Sequence, residues 1–231
     1  MNLKYGVIFS LVAALLLGGC FIVEGLPARA LNIYVAISFL GCGLAYAIKA
    51  PRFWQKRENG TISLTSLLLF APLHALNWLS LLLAIRLQKE KPLHEIEPNL
   101  WLGRRLIHGE AADFSENSEV AVLDLTAEFA ENSSLRNPHY LCIPILDHTA
   151  PRQEQLKLAM EFIQSHILNR RVFVHCALGH GRSATMVAAW LLTQNKTRPV
   201  DVVIKQIKAI RPGIGLNSDQ LAALNKFVEN R

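Results

Sequence analysis

The chain has 231 residues, with 24 Lys and Arg against 18 Asp and Glu, a formal charge of +6 and a pI near 9.3. Its basic residues are not interleaved with aromatic ones, which excludes a nucleic-acid-binding footprint and leaves an anionic membrane surface as the expected counterpart of the charge. The four cysteines do not suggest a disulfide framework, and the 51% hydrophobic content with mean hydropathy +0.24 comes from the first 90 residues.

Three runs without a charged residue come first: Tyr5 to Val23, Leu31 to Ile48 and Thr61 to Ile85, of 19, 18 and 25 residues. Each is near the roughly 20 residues that a helix needs to cross a bilayer. Charges fall between them, Glu24 and Arg29 in the first connection, then Lys49, Arg52, Lys56, Arg57 and Glu58 in the second. Trp54 and Trp78 suit interface depth, and Pro72, His74 and Asn77 would kink the third run or lay it in the interface. Residues 1–88 therefore read as a membrane anchor with two to three transmembrane helices. Leu16-Leu-Gly-Gly-Cys20 resembles a bacterial lipoprotein cleavage box, but Phe21-Ile-Val continues the apolar run, so an ordinary membrane helix is preferred.

Sidedness is nearly balanced: Lys4 and the four cations of the second connection stand against Arg29, Arg86, Lys89 and Lys91. If all three runs span, the second connection and the C-terminal domain face opposite compartments. If the third is re-entrant or interfacial, both can be cytoplasmic. Residues 89–96 read as a short polar linker that keeps the following domain near the bilayer, and 97–231 as one compact α/β domain.

Val172 to Val174 predicts a strand and Ala184 to Thr193 a buried helix, so the stretch His175-Cys176-Ala177-Leu178-Gly179-His180-Gly181-Arg182-Ser183 is a loop from a strand end to a helix N-terminus. There, free N–H groups and the helix dipole converge, and two glycines let the backbone curl around a dianion. Helix termini and nearby cations lower a thiol pKa from about 8.5 to roughly 3.5–7.5, so Cys176 is expected to be a thiolate nucleophile. Arg182 offers a planar fork to two phosphoryl oxygens, and Ser183 is placed to donate to the sulfur. Ala177, Leu178, Gly179, His180 and Gly181, with His175 before them, form the expected phosphate-binding segment. His175 is expected to hydrogen-bond within the loop.

His-Cys-x5-Arg-Ser resembles the signature of protein tyrosine phosphatases, and specifically of their dual-specificity branch. Glu97 to Gly103 looks like the opening strand and turn of such domains, Val120 to Thr126 like the next buried strand, Leu141 to Asp147 like the strand and loop that carry the general acid, and Arg211-Pro212 with Asn217 like the late helix and turn. The resemblance implies a central, mostly parallel sheet flanked by helices, behind the N-terminal transmembrane helices. It makes Asp147, 29 residues before Cys176, the general acid of a two-step reaction through a cysteinyl-phosphate. Leu178 departs from the small residue that many relatives carry. No cofactor is implied, and no His/Cys/Asp cluster stands at metal-ligand spacing.

Plainer readings stand beside these: Asp147 as a turn residue, His148 as a solvated loop residue, and Asn217 and Gln220 as a helix cap. Arg182 to Leu191 resembles the mitochondrial phosphatidylglycerophosphate phosphatases, so a phospholipid monoester is the expected substrate. A phosphotyrosine, phosphoserine or phosphothreonine protein is the alternative, and a silent phosphate-binding membrane module is another. The expected site of action is a bacterial inner membrane with the domain on the cytoplasmic side, where a reactive thiol stays reduced.

Overall fold

The apolar runs fold as helices, and a proline divides the third of them. In the computed structural model, which describes residues 2–116, 119–195 and 197–230, the first two runs form α1 (Asn2–Gly19) and α2 (Leu26–Ala47). These two pack closely because the contact is built from small residues: a Cβ on Gly43 would lie 3.0 Å from the Gly6 carbonyl oxygen and 2.7 Å from Ser10 Oγ. The third run divides into α3 (Leu64–Leu69), capped by the Ser63 hydroxyl, and α4 (Ala71–Leu87). Pro72 lacks an N–H and crowds the preceding turn, so the ladder breaks at Phe70 and proline sits in the first turn of the new helix. His74 Nε2 lies 3.2 Å from Ser66 Oγ and ties the two pieces together. The uninterrupted third span that one reading of the sequence allowed is therefore absent. Among the described residues α2, with 22 residues and a mean hydropathy of 1.6, is the helix long and apolar enough to cross a membrane, and Leu3–Gly19 and Ala71–Leu87 are shorter apolar helices.

The C-terminal part alternates strands and helices: β1 (Leu93–Glu97), β2 (Leu100–Arg104), α5 (His108–Ser115), β3 (Val120–Thr126), β4 (Tyr140–Ile145), α6 (Gln153–His166), β5 (Arg171–Cys176), α7 (Arg182–Gln194), α8 (Val200–Ile210) and α9 (Ser218–Glu229). Among the described residues five strands form one sheet in the order β1-β2-β5-β3-β4, parallel except for β1 against β2. The expected linker 89–96 is corrected here. Leu93 pairs with Gly103 and His94 with Leu102, so most of β1 lies inside it. β3 is buried along its whole length, the pattern of a central parallel strand covered on both faces. α7 is buried from Arg182 to Leu192 and packs against β5, α8 and α9. The sheet and α7 thus fix the strand end and helix start between which the signature loop hangs.

The second interhelical connection is not a solvated loop. Trp54 is buried, and the ammonium of Lys56 runs into the C-terminal domain, where it bonds the Asp124 carboxylate, the Thr126 hydroxyl at 2.8 Å and the Thr126 carbonyl at 2.9 Å. Both Lys56 and Asp124 side chains are fully buried. Lys56, counted in the sequence among cations on one face of a membrane, is an internal strut between the two parts of the chain.

Candidate active site

The loop between β5 and α7 is shaped by where its carbonyls go. Ala177 O accepts from Arg105 N at 3.1 Å and His180 O from Gly215 N at 3.2 Å. Leu178 O and Gly179 O accept from the Arg211 guanidinium at 2.9 and 3.0 Å. Four consecutive carbonyls turned outward leave the amides of the following residues turned inward, because a trans peptide holds its N–H opposite its C=O. The Gly179 N–H donates to Cys176 Sγ at 3.3 Å. Gly179 has φ +77°, and a Cβ there would overlap the Gly103 carbonyl, so the tight approach of the loop to the end of β2 requires glycine.

Cys176 lies at the floor, with Ser183 Oγ 3.3 Å from its sulfur. Burial pushes its thiol pKa up, but Arg182 and the Ser183 hydrogen bonds outweigh that, and the net shift is down. Cys142, in β4, goes the other way: burial first, then Asp124, push it up to about 12, outweighing Lys56 and the Tyr140 hydroxyl, which act to lower it.

Arg182 is the first residue of α7 and is buried. Glu128 holds its guanidinium bidentately at 3.0 and 2.7 Å, Ile145 O accepts from Nη1 at 2.8 Å, and Asp147 Oδ1 lies 3.0 Å from Nη2. Its Nε is buried without a partner among the described residues. The orphaned Nε–H and the Nη2 hydrogen on the half-exposed Asp147 carboxylate form a bidentate fork that a tetrahedral oxyanion can fill by displacing Asp147. Burial acts to raise the Asp147 pKa, yet Arg182, followed by His148, brings it below the ordinary carboxylate value.

These groups open on a cavity of about 150 Å³ lined by Asp147, His148, Cys176, Leu178, His180, Gly181, Arg182 and, from the C-terminal turn, Gly215, Asn217 and Gln220. The structure thus brings Cys176, Arg182, Ser183 and Asp147 together, with Leu178, His180 and Gly181 on the rim. Ala177 instead faces an adjoining apolar cavity. His175 makes the expected hydrogen bond within the loop, Nδ1 lying 3.4 Å from Cys176 O, but its substrate-binding role is corrected: fully buried, it sits behind the loop with Nε2 2.6 Å from Glu131 Oε2 and does not face the cavity. His180 Nε2 is bonded to Glu90 at 2.7 Å. Asn217 caps α9 as expected, accepting from Asp219 N and Gln220 N at 3.0 Å each, and also donates to His148 O at 2.9 Å, which anchors the Asp147 loop. His148 has φ +55°, a left-handed conformation that costs a non-glycine residue about 1–3 kcal/mol. Its ring is stacked on Tyr5 of α1 at 5.1 Å, so the residue beside Asp147 rests on the N-terminal helices.

The sequence marked Arg211 only through the family resemblance and gave no sign of Glu128, Glu90 or Lys56, because Glu128 and Glu90 reach Arg182 and His180 from distant elements and Lys56 reaches Asp124 behind the loop. It also hid the grouping of Asp124, Glu131 and His175, whose ligand-type atoms lie within 4.8 Å of one another. The Lys56 ammonium already bonds Asp124 in that group.

Residues 100–230 match the family described as dual specificity phosphatase, catalytic domain. The chain is 30% identical over 145 residues to the human phosphatidylglycerophosphatase and protein-tyrosine phosphatase 1, covering 58% of this chain and 72% of that protein. It is 32% identical over 90 residues to phosphatidylglycerophosphate phosphatase PTPMT2 of Arabidopsis thaliana, a match that spans 38% of this chain and only 39% of that protein. Among solved structures, Tk-PTP in its active form superposes with a TM-score of 0.56 at 24% identity, covering 61% of this chain and 98% of that one. The structure of PTPMT1 in complex with PI(5)P gives 0.54 at 22% identity, over 61% and 96%. With the family signature spanning more than half its length and the loop geometry in place, the chain belongs to the dual specificity phosphatases and is a cysteine-based phosphatase of that type.

Proposed function

We propose that this phosphatase is anchored in a membrane by residues 1–88 and hydrolyses the phosphomonoester of a phospholipid headgroup through a cysteinyl-phosphate, with residues 97–231 as the catalytic domain. The observation that carries the lipid reading is the seating of the Asp147 loop on apolar helices, through the stack of His148 on Tyr5 at 5.1 Å. Exposed large hydrophobic side chains crowd α1 to α4, whereas beyond residue 90 they are confined, among the described residues, to Ile107, Leu158, Leu168 and Val202. A surface of that kind belongs in lipid. Of two relatives, the one at 32% identity is named a phosphatidylglycerophosphate phosphatase and the one at 30% a phosphatidylglycerophosphatase and protein-tyrosine phosphatase. The catalytic side faces the cytoplasm, where the thiol is kept reduced.

In the first step the Cys176 thiolate attacks phosphorus in line, the bond to the lipid oxygen breaks, and Asp147 gives that oxygen its proton. Arg182 binds two equatorial oxygens through Nε and Nη2. The incoming dianion takes Nη2 from Asp147 and puts negative charge beside it, and both changes raise the carboxyl pKa, so the acid acquires its proton as substrate binds. In the second step Asp147 takes a proton from water as its oxygen attacks phosphorus, the S–P bond breaks, and Ser183 donates to the returning thiolate. Asp147→Asn is expected to lower kcat/KM, which reports formation of the intermediate, by about 10²–10⁴-fold on an alkyl phosphate and by far less on a nitrophenyl phosphate, whose leaving group needs no proton. It should also remove the alkaline limb of the pH–kcat profile. Equal losses on both substrates would take Asp147 out of the acid role. Arg182→Lys, which keeps charge but loses the fork, is expected to cost about 10²–10³-fold in kcat with KM also raised.

The reading is tested by phosphate release from phosphatidylglycerophosphate, a phosphoinositide and a phosphotyrosine peptide, using the full chain in detergent with chelator present. A lipid kcat/KM at least about tenfold above the peptide's, a difference of about 1.4 kcal/mol, supports it. A peptide preference replaces it with protein dephosphorylation, and no release from any of them with a silent phosphate-binding module.

A further inference from the structure

We infer that the apolar cavity between the N-terminal helices and the Asp147 loop is the subsite for the glycerol and the adjoining acyl ester of the substrate, so that the helices form half of the active site. The inference rests on the lipid reading above and adds where the non-phosphate part goes. The cavity holds about 220 Å³ and shares Asp147, His148 and Leu178 with the phosphate cavity, so the two adjoin. Ligand sites for whole drug-sized molecules usually measure about 300–1,000 Å³, so this one suits the part of a lipid next to the phosphate.

Its outer wall is one face of α4. Leu73, Asn77, Ser80, Leu81 and Ala84 recur at helical spacing along the cavity, opposite Phe9 of α1 and Tyr46 of α2. The other face of α4 carries Leu79, Leu82 and Leu83, which are 55%, 48% and 51% exposed and suit contact with lipid chains. Within this wall Asn77 Nδ2 is buried and has no hydrogen-bond partner among the described residues. An unmet buried amide donor costs about 1–3 kcal/mol, and a glycerol hydroxyl or ester carbonyl is the acceptor that this position lacks.

The test compares kcat/KM of the full chain on micellar phosphatidylglycerophosphate with that on nitrophenyl phosphate, which reaches only the phosphate cavity. Ser80→Phe fills the subsite, and Asn77→Leu removes the unmet donor with little change in volume. Both are expected to lower the lipid value by about 10–200-fold, chiefly through KM, while nitrophenyl phosphate turnover stays within about twofold of wild type. Lipid values unchanged in both variants, or equal losses on both substrates, would overturn the inference. If the wild type itself hydrolyses nitrophenyl phosphate and a phosphopeptide but no lipid, the lipid reading fails first and takes the subsite with it.

Discussion

Cys176→Ser is expected to reduce phosphate release from every substrate to background, a loss on the order of 10⁵–10⁶ in kcat, as for removal of a covalent nucleophile generally. The serine hydroxyl would be almost wholly protonated where the thiol is not, since the influences that bring the Cys176 pKa down, Arg182 first and the Ser183 hydrogen bonds next, cannot ionise an alcohol near neutrality. The phosphate fork is untouched by the change. Arg182 Nε and Nη2 and the inward amides remain, so inorganic phosphate should bind within a few-fold of wild type. Loss of oxyanion binding together with loss of turnover would mean that the thiol organises the loop rather than attacking the substrate. Retained turnover would exclude the covalent route.

Lys56→Met is expected to be the most destabilising single change outside the active site. Its ammonium pairs with a fully buried Asp124, and deleting one partner of a buried pair typically costs about 3–5 kcal/mol because the remaining charge is stranded. The pH dependence gives a sharper prediction. Burial pushes the Asp124 pKa up, while Lys56 first and His175 next pull it down, and the net shift in the intact protein is downward. Asp124 therefore contributes stability above the ordinary carboxylate pKa, and the contribution is lost as pH falls through its depressed folded value. In Lys56→Met the largest opposing influence is gone and burial raises the pKa, so the folded state binds a proton that the unfolded state does not. The variant should gain stability as pH falls from neutrality towards the unfolded carboxylate pKa, whereas the wild type gains none from this group. Thermal unfolding in detergent between neutral and mildly acidic pH measures the difference. A constant deficit at all pH values would mean that Lys56 acts by packing alone. Because Asp124 also lies 3.9 Å from His175, the residue before the nucleophile, the variant should lose activity at temperatures where it is still folded.

The catalytic sheet was legible in the sequence because parallel strands buried on both faces read as short β-branched runs. Val120 to Thr126 became β3 without adjustment, and the run at Val172 extended only to Arg171 and Cys176. Cys176, Arg182 and Ser183 were legible for a related reason: one loop carries all three, and strand and helix on either side fix their positions. Asp147 needed the family resemblance, since Asp-His-Thr-Ala-Pro is also ordinary turn chemistry. His175 was misplaced because successive residues of a strand point to opposite faces, and the side chain next to the nucleophile consequently points away from it. The linker was misread because β1 is an edge strand with polar residues, Leu-His-Glu-Ile-Glu, whose pairing with β2 depends on a partner that composition does not reveal. Lys56 was hidden most deeply. A lysine between two apolar runs reads as a cytoplasmic charge, and only the three-dimensional approach of that segment to Asp124 makes it internal.

The central claim is that phosphate passes through the sulfur of Cys176, and it is tested most directly by rapid acid quench of the full-length Asp147→Asn variant with nitrophenyl phosphate, followed by mass spectrometry of the intact chain and its peptides. Loss of the base slows hydrolysis of the intermediate, so the account predicts one phosphoryl group per chain, on the peptide containing Cys176, with none in the Asp147→Asn/Cys176→Ser double variant. A phosphoryl group on another residue, or none while phosphate is still released, would contradict it.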